Sequence, residues 1–163
     1  MRGLDSTSMG RCLACDLNEG REPLPGGEIN ATSFWRVEHC IGPLGVGTLV
    51  VKPKRHVFHV ADLTEEEAHE LGPLLRRTSS VITALCSPEQ VYVTLWSHAD
   101  AVPGHIHWVV QPVTRQLMNE FGGQYGVRLQ LSMFERAEYP DPDAVEAFSR
   151  QARSAFAAND HSS

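Results

Sequence analysis

The sequence contains no long apolar run and no apolar leader. No stretch approaches the ~20 consecutive apolar residues that a membrane-spanning helix needs. The segment 1–10 is polar and lacks the apolar centre of a signal peptide. These absences predict a cytoplasmic protein without a membrane partner. Internal repeats, low-complexity segments and domain linkers are absent too, so 163 residues predict a single domain.

Positive charge is also scarce. Lys and Arg together number 14 and Asp and Glu 20, which gives a net charge of −6. A protein without a broad basic surface binds long nucleic acid poorly, so we expect no such partner. One basic cluster, Lys52-Pro53-Lys54-Arg55, is most often the solvated end of a strand, but it could also lie near an anionic substrate.

Cysteine is limited to four positions, Cys12, Cys15, Cys40 and Cys86. In the cytoplasm these are thiols or metal ligands rather than disulfides. Cys12 and Cys15 form a C-x-x-C pair without a preceding strand, which argues against a thioredoxin-like redox site. Their two sulfurs can bind one tetrahedral zinc if two more ligands come from elsewhere. Two small buried residues at a turn are an equally good interpretation.

The most informative segment runs from Gly104 to Gln111 and reads as a buried strand, rich in apolar and β-branched residues. Side chains on a strand alternate between its faces, so His105, His107, Val109 and Gln111 share one face. The residues between them face an apolar layer. Two adjacent imidazoles on a rigid element suit a nucleophile with an orienting neighbour, or metal ligands. The alternative is two histidines on the solvated face of a half-buried strand.

The remaining pattern indicates an α+β fold, in which helices pack against an antiparallel sheet. Thr64 and Glu67 have the spacing of a capping box at the start of a long helix, with a kink or break expected at Gly72-Pro73. The other predicted elements are a loop over 22–30, strands over 34–39, 48–51, 91–96 and 128–134, and helices over 114–121 and 143–158. The strands over 34–39 and 48–51 are expected to pair antiparallel.

The loop 97–104 leads the chain into the histidine strand. A loop at the mouth of such a face is a natural place for substrate contacts. Ser97 and His98 are therefore candidates, although polar turn residues are an equally good interpretation of each.

Taken together, these motifs resemble the histidine-triad (HIT) superfamily. From Cys12 to about Pro112 the chain has, in the superfamily's order, C-x-x-C, a Gly/Pro turn, an apolar strand ending in Pro-Lys-Arg-His, a Leu-Thr-x-x-Glu helix start, and His-x-His. The resemblance implies a HIT-like antiparallel sheet with helices packed against it. It also implies a homodimer and a small nucleotide ligand.

The resemblance assigns His105 to the first triad histidine and His107 to the second. The second is the nucleophile in the superfamily. It attacks the α-phosphorus of a phosphoanhydride or phosphoramidate, for example a dinucleoside polyphosphate, and water then releases the nucleotide from the imidazole. His107 is thus the implied nucleophile of a hydrolase or nucleotidyl transferase, and neutral imidazole is nucleophilic near pH 7.

Three positions depart from the superfamily's pattern. Val109 stands where the third histidine belongs, and a lost donor of this kind commonly costs ~10²–10³ in rate. Cys40 falls where relatives often have the Asp that hydrogen-bonds the ribose. The loop ending at Gly104 lacks the Gly-Gln-Ser/Thr run that helps to hold phosphate. We expect substrate contacts from Cys40 and Gly104. We also expect one of Ser97, His98 and Gln111 to take the role of the third histidine.

The resemblance also favours zinc at the C-x-x-C pair. Some members bind it through these cysteines, the histidine of Pro-Lys-x-His and the first triad histidine, which here are Cys12, Cys15, His56 and His105. Four protein ligands leave no open position, so the metal would be structural.

The expected organisation is a flexible tail over 1–10, a HIT-like domain over 11–113, a C-terminal extension packed on it over 114–158, and a flexible tail over 159–163. The main alternative to an enzyme is a catalytically weak or inactive nucleotide-binding or sensing module on the same scaffold. A weaker alternative is a zinc-stabilised interaction protein with no small ligand.

Overall fold

A computed structural model of the protein describes residues 12–99 and 102–160, and the side chains of 98, 99, 102, 103, 159 and 160 are not part of that description. Five strands of the described chain form one antiparallel sheet in the order β1-β2-β3-β5-β4. The strands are β1 Glu28–Ala31, β2 Trp35–His39, β3 Leu49–Pro53, β4 Gln90–Ala99 and β5 Val102–Val113.

Helices cover both faces of this sheet, so the predicted α+β, HIT-like architecture is confirmed. They are α1 Leu13–Asn18, α2 Glu65–Cys86, α3 Arg115–Glu120, α4 Gly126–Arg136 and α5 Pro142–Asp160, with a short 3₁₀ turn at Val60–Asp62. In the part of the chain that is described, no helix combines the length and the apolar composition needed to cross a membrane.

Alternation along the central strands divides the core into two layers. Val51 and Val110 point toward α2 and α5, in a cluster where Trp35 and Trp108 meet edge to face at 5.5 Å. The neighbouring residues on each strand point the other way and pack against Leu129 and Met133 of α4. The face covered by α4 is the one that carries His105 and His107.

Four local predictions were wrong. The segment 128–134 is helix α4 and not a strand, because its buried residues Leu129 and Met133 are four apart and lie on one helical face. Part of the segment predicted as loop is strand β1, which pairs with β2 through a register shift. Most of the segment 97–104, predicted as a loop, belongs to β4 and β5, because the two strands continue to pair up to Ala99 and Val102. Helix α2 continues through Pro73 without a break, because Gly72 and Pro73 face solvent, where water can bond the carbonyl group that proline leaves unpaired, and the alternative of a kink stays a prediction.

The predicted domain limits at 11, 113 and 158 stay predictions. The tail over 1–10 lies outside the described residues, and so does most of the tail over 159–163. Helix α5 continues to Asp160, and its residues Phe148, Ala152 and Phe156 complete the core on the side of α2.

The predicted capping box starts α2 and also positions the segment before it. The Thr64 hydroxyl oxygen accepts from the Glu67 N–H at 3.2 Å, and a Glu67 carboxylate oxygen accepts from the Thr64 N–H at 2.8 Å. The same carboxylate accepts two bonds from Arg55, at 2.6 and 2.8 Å. Glu67 therefore joins the start of α2 to the residue that precedes His56.

Replacing Glu67 with glutamine is expected to destabilise the protein at neutral pH but hardly at acid pH. The hydrogen bonds from Arg55 hold the pKa of the Glu67 carboxyl below its ordinary value. A folded-state pKa below the unfolded value contributes stability above the unfolded pKa of about 4.3, and that stability is lost as the pH falls through the folded pKa. Because the Arg55 side chain is 47% exposed, we expect a loss of only about 1–2 kcal/mol at pH 7.

Urea denaturation of both proteins at pH 7 and pH 3 measures this effect. Glu65→Gln, an exposed change in the same first turn, is the matched control and should be close to neutral at both values. An equal loss for Glu67→Gln at pH 7 and pH 3 would contradict the assigned charge interaction.

Candidate functional site

His107 lies on strand β5, on the sheet face that α4 partly covers. Its Nδ1–H donates to the carbonyl oxygen of His105 at 2.9 Å. A carbonyl oxygen can only accept, so Nδ1 carries the proton and Nε2 carries the lone pair. Burial lowers the pKa of His107, which keeps the ring neutral at pH 7. The residue therefore presents a fixed tautomer with a nucleophilic Nε2.

The imidazole of His107 lines a cavity of about 590 Å³. Cavities of roughly 300–1,000 Å³ are usual for small-molecule sites. One side is formed by Leu13 and Leu17 of α1, and another by Trp96 and Phe134, whose rings lie 5.1 Å apart. Trp96 is the register partner of His107 on β4, which places this aromatic pair beside the histidine.

Two of the predicted site positions are part of the same cavity. Cys40 is buried and its sulfur accepts from the Gly42 N–H at 3.3 Å. Burial raises the pKa of the Cys40 thiol to about 11, so it is a neutral thiol at pH 7. Val109, at the third triad position, also lines the cavity and presents only hydrocarbon to it. Their roles toward a substrate stay predictions.

The other predicted contacts lie elsewhere. Gln111 is fully buried beneath α4, where it donates to the Leu44 carbonyl oxygen at 3.2 Å and accepts from Gln130 at 3.0 Å. Because Gln111 is not among the described residues that line the cavity, it could reach a ligand only if α4 moved. Ser97 is half-buried at a strand irregularity between Trp96 and His98.

The remaining two candidates are less fully described. The side chain of His98 lies outside the described residues, although its backbone belongs to β4. Gly104 is partly exposed on β5, close to the start of that strand. The proposed roles of His98, Gly104, Ser97 and Gln111 stay predictions.

A buried ion pair that the sequence did not predict forms the polar part of the cavity. Lys52 Nζ lies 2.5 Å from Glu38 Oε1 and 3.4 Å from the carbonyl oxygen of Ala14, and both charged side chains are almost fully buried. Burial lowers the pKa of Lys52 and raises that of Glu38, while each partner opposes the shift of the other. The prediction of a solvated basic cluster is therefore wrong for Lys52, although Lys54 is exposed.

A second cluster lies next to the cavity, where α1 meets β5. Cys12, Cys15, His56 and His105 each offer one ligand atom, and these atoms lie within 4.8 Å of one another. The Cys15 sulfur is 3.2 Å from His56 Nδ1 and 3.5 Å from His105 Nδ1, and the Cys12 sulfur is 3.8 Å from His105 Nδ1. The four ligands predicted from the resemblance are thus brought together.

The donor set fits zinc. Tetrahedral zinc bonds of about 2.0–2.3 Å place neighbouring ligand atoms about 3.6 Å apart, close to the observed separations. His105 Nε2–H donates to the Pro53 carbonyl oxygen at 2.8 Å, which directs the lone pair on Nδ1 toward the sulfurs. Burial lowers the pKa of His105 to about 4, so its ring is in the neutral form that binds metal. Burial and the neighbouring Cys12 raise the pKa of Cys15 to about 11, so metal binding would release a proton.

No protein-family model matches the chain, and no curated protein matches it. Solved structures do share its fold. A Zn-bound histidine triad family protein from Mycobacterium smegmatis superposes with a TM-score of 0.65 at 20% identity, covering 93% of this chain and 97% of that one. A hypothetical histidine triad nucleotide-binding protein from Sulfolobus tokodaii gives a TM-score of 0.68 at 15% identity, covering 90% and 93%.

A uridylyltransferase mutant gives a TM-score of 0.65 at 19% identity over 93% of this chain, which corresponds to 48% of that protein. These similarities extend across the sheet and its helices. The chain therefore has the fold of the histidine-triad superfamily.

Proposed function

We propose that the protein is a nucleotide-binding hydrolase or nucleotidyl transferase. It acts on a nucleotide phosphoanhydride or phosphoramidate, such as a dinucleoside polyphosphate, and the reaction passes through a covalent nucleotidyl-His107 intermediate. The single observation that carries this proposal is the neutral His107 imidazole, with its Nδ1–H held by a backbone carbonyl, at the wall of a cavity large enough for a nucleotide. The histidine-triad proteins and the uridylyltransferase of the same fold agree with it.

The chemistry proceeds in two displacements. The Nε2 lone pair of His107 forms a bond to the α-phosphorus, and the bond from phosphorus to the leaving group breaks with its electron pair on the leaving atom. Water then attacks the same phosphorus, the phosphorus–nitrogen bond breaks with its electron pair returning to Nε2, and the proton lost by the water passes to the solvent. This relay divides one difficult displacement into two easier ones, and the bond from Nδ1–H to the backbone fixes the ring throughout.

The alternative is a catalytically weak or inactive nucleotide-binding or sensing module, and Val109 is the observation that favours it. A valine at the third triad position cannot donate to a phosphate oxygen or to a leaving group. The loss of one such donor commonly lowers the rate by about 10²–10³. We therefore expect slow turnover even when His107 is intact.

Two measurements on the purified protein separate the possibilities. Chromatography follows the turnover of a panel of dinucleoside polyphosphates and nucleoside phosphoramidates. Calorimetry measures the binding of the four ribonucleoside 5′-monophosphates. Turnover with binding supports the enzyme, and binding without turnover supports the module. The absence of both would contradict the whole proposal.

We also propose that Cys12, Cys15, His56 and His105 hold one structural zinc ion. Bound there, zinc would supply a cross-link between α1, the segment after β3 and the strand that carries His107. His105 would then orient that strand and would not act as a free acid or base. The nucleophilic attack would belong to His107.

Zinc analysis of the purified protein is expected to give about one ion per chain. Cys15→Ser should lower this to well below one and should lower the melting temperature, because a serine hydroxyl is a poor zinc ligand. Cys86→Ser is the matched control, since that thiol lies apart from the cluster. Full zinc content in Cys15→Ser would contradict the assignment, and so would zinc loss in Cys86→Ser alone. A homodimer and a cytoplasmic location remain predictions.

A further inference from the structure

A buried lysine in a largely apolar cavity requires an explanation, and the position of Lys52 suggests one. Strand β3 pairs with β5 through Leu49↔Val110, Val50↔Val109 and Val51↔Trp108. One step further along the same register places Lys52 opposite His107. Residues opposite each other on one face of a sheet have Cβ atoms about 4.5–5.5 Å apart.

The geometry points to Lys52 as the cation that binds the phosphoryl oxygens of the ligand beside His107, with Glu38 as the residue that positions its ammonium group. This inference rests on the proposed function and adds to it a residue that lies outside the histidine motif. It also names the chemistry that is recognised, which is a phosphate ester or anhydride and not an uncharged nucleoside.

The hydrogen bonds of Lys52 leave room for such a ligand. An ammonium group has three N–H donors. Over the residues that the structure describes, two acceptors surround it, the Glu38 carboxylate at 2.5 Å and the Ala14 carbonyl oxygen at 3.4 Å. The Ala14 contact is long, so a charged oxygen from a ligand can take the third donor and compete for the second. Glu38, Ala14 and Lys52 all line the cavity that contains His107.

The charges around Lys52 form two ion pairs, and of their two cations Lys52 is the one that lines the cavity. Arg36 is the register partner of Lys52 on β2. Burial lowers the pKa of Lys52 and raises that of Glu38, and the positive charge of Arg36 adds to the first shift and opposes the second. Arg36 pairs at 2.6 Å with Glu28, which is partly exposed at the sheet edge. Arg36 and Glu28 therefore balance each other, as Lys52 and Glu38 do, and an anionic ligand would compete with Glu38 for the ammonium group of Lys52.

The surroundings strengthen this interaction. Leu13, Leu17, Val50 and Val109 line the same cavity with hydrocarbon, and charges attract more strongly where water is excluded. A cation at this place also supplies what Val109 cannot, namely a donor to the phosphate oxygens opposite the nucleophile. Lys52 therefore explains how a chain without the third histidine can still hold a phosphoryl group.

The test compares binding of the four ribonucleoside 5′-monophosphates with binding of the matching nucleosides, for the wild type and the double variant Glu38→Met/Lys52→Met. Removing both charges leaves no unpaired buried ion, so the double variant is the form expected to fold. We expect it to lose about 10- to 100-fold in affinity for the monophosphates, the usual size of a charged hydrogen bond, with little change for the nucleosides. Lys54→Met, an exposed lysine on the neighbouring segment, is the matched control and should bind like the wild type.

If Lys52 and Glu38 had a purely structural role, the double variant would bind both nucleosides and monophosphates more weakly, by similar factors. The inference is overturned if the wild type shows no preference for the monophosphates, if a folded double variant keeps that preference, or if Lys54→Met loses it equally. Circular dichroism and thermal melting establish whether each variant is folded, and a double variant that does not fold is replaced by Glu38→Gln/Lys52→Gln, an uncharged pair that can still hydrogen-bond, with the same readout. A wild type that binds no monophosphate and turns over no substrate contradicts the proposed function itself, which is a different outcome.

Discussion

Replacing His107 with alanine is expected to lower turnover of the best substrate in the panel by about 10³-fold or more. Alanine has no lone pair to form the covalent intermediate, so both displacements are lost together. Nucleotide binding should change far less, because the cavity wall contributed by Leu17, Lys52 and Trp96 remains. The measurement is single-turnover and steady-state kinetics with binding of the product monophosphate in parallel.

His69→Ala is the matched control, since His69 is exposed on α2 and that helix packs on the opposite face of the sheet. Its turnover should equal that of the wild type. Turnover in His107→Ala within tenfold of the wild type would show that another group attacks the phosphorus. Loss of turnover and of binding in equal measure would instead indicate that the variant has lost the cavity.

The second large effect concerns stability. Lys52→Met alone is expected to lower the free energy of unfolding by about 3–5 kcal/mol, because it leaves the carboxylate of Glu38 buried without a counter-charge. The double variant Glu38→Met/Lys52→Met should recover most of this loss and fall within about 1 kcal/mol of the wild type, since both desolvated charges are gone. Methionine has nearly the length of both side chains and adapts to irregular space.

Urea unfolding of the wild type, both single variants and the double variant gives the coupling energy directly. Lys54→Met provides the matched control, because this lysine is exposed and donates to the Thr32 carbonyl oxygen, away from the buried pair. Additive losses in the double variant would mean that Lys52 and Glu38 stabilise the fold separately and not as a pair.

The alternation of side chains along β5 made the core of the site predictable. Because His107 and Val109 are two positions apart on the strand, the sequence placed them on the same face of the sheet, and both line the cavity. The capping box at Thr64 and Glu67 is a local pattern, and the structure has it with both bonds. The four-ligand cluster came from the resemblance, since nothing in the spacing of Cys12 and Cys15 specifies distant partners.

What could not be predicted depends on contacts between distant elements. Lys52 belongs to a run of basic residues. Lys52 and Lys54 both have the strand parity of Val50, so alternation could not show that Lys52 is buried while Lys54, beyond the end of β3, is exposed. Gln111 shares the face of His107, yet α4 covers it, and α4 was predicted as a strand because its apolar residues fit either period over a short run. Glu38 became part of the site only through pairing of β2 with β3.

Rapid-quench mass spectrometry of the intact protein tests the central claim, the nucleophilic role of His107, most directly. The protein is mixed with a dinucleoside polyphosphate or a nucleoside phosphoramidate, quenched without acid and digested to locate any adduct. The account predicts a gain of one nucleotidyl group on the peptide that contains His107, absent in His107→Ala and present in His69→Ala. Turnover without any adduct, or an adduct that persists in His107→Ala, would contradict it.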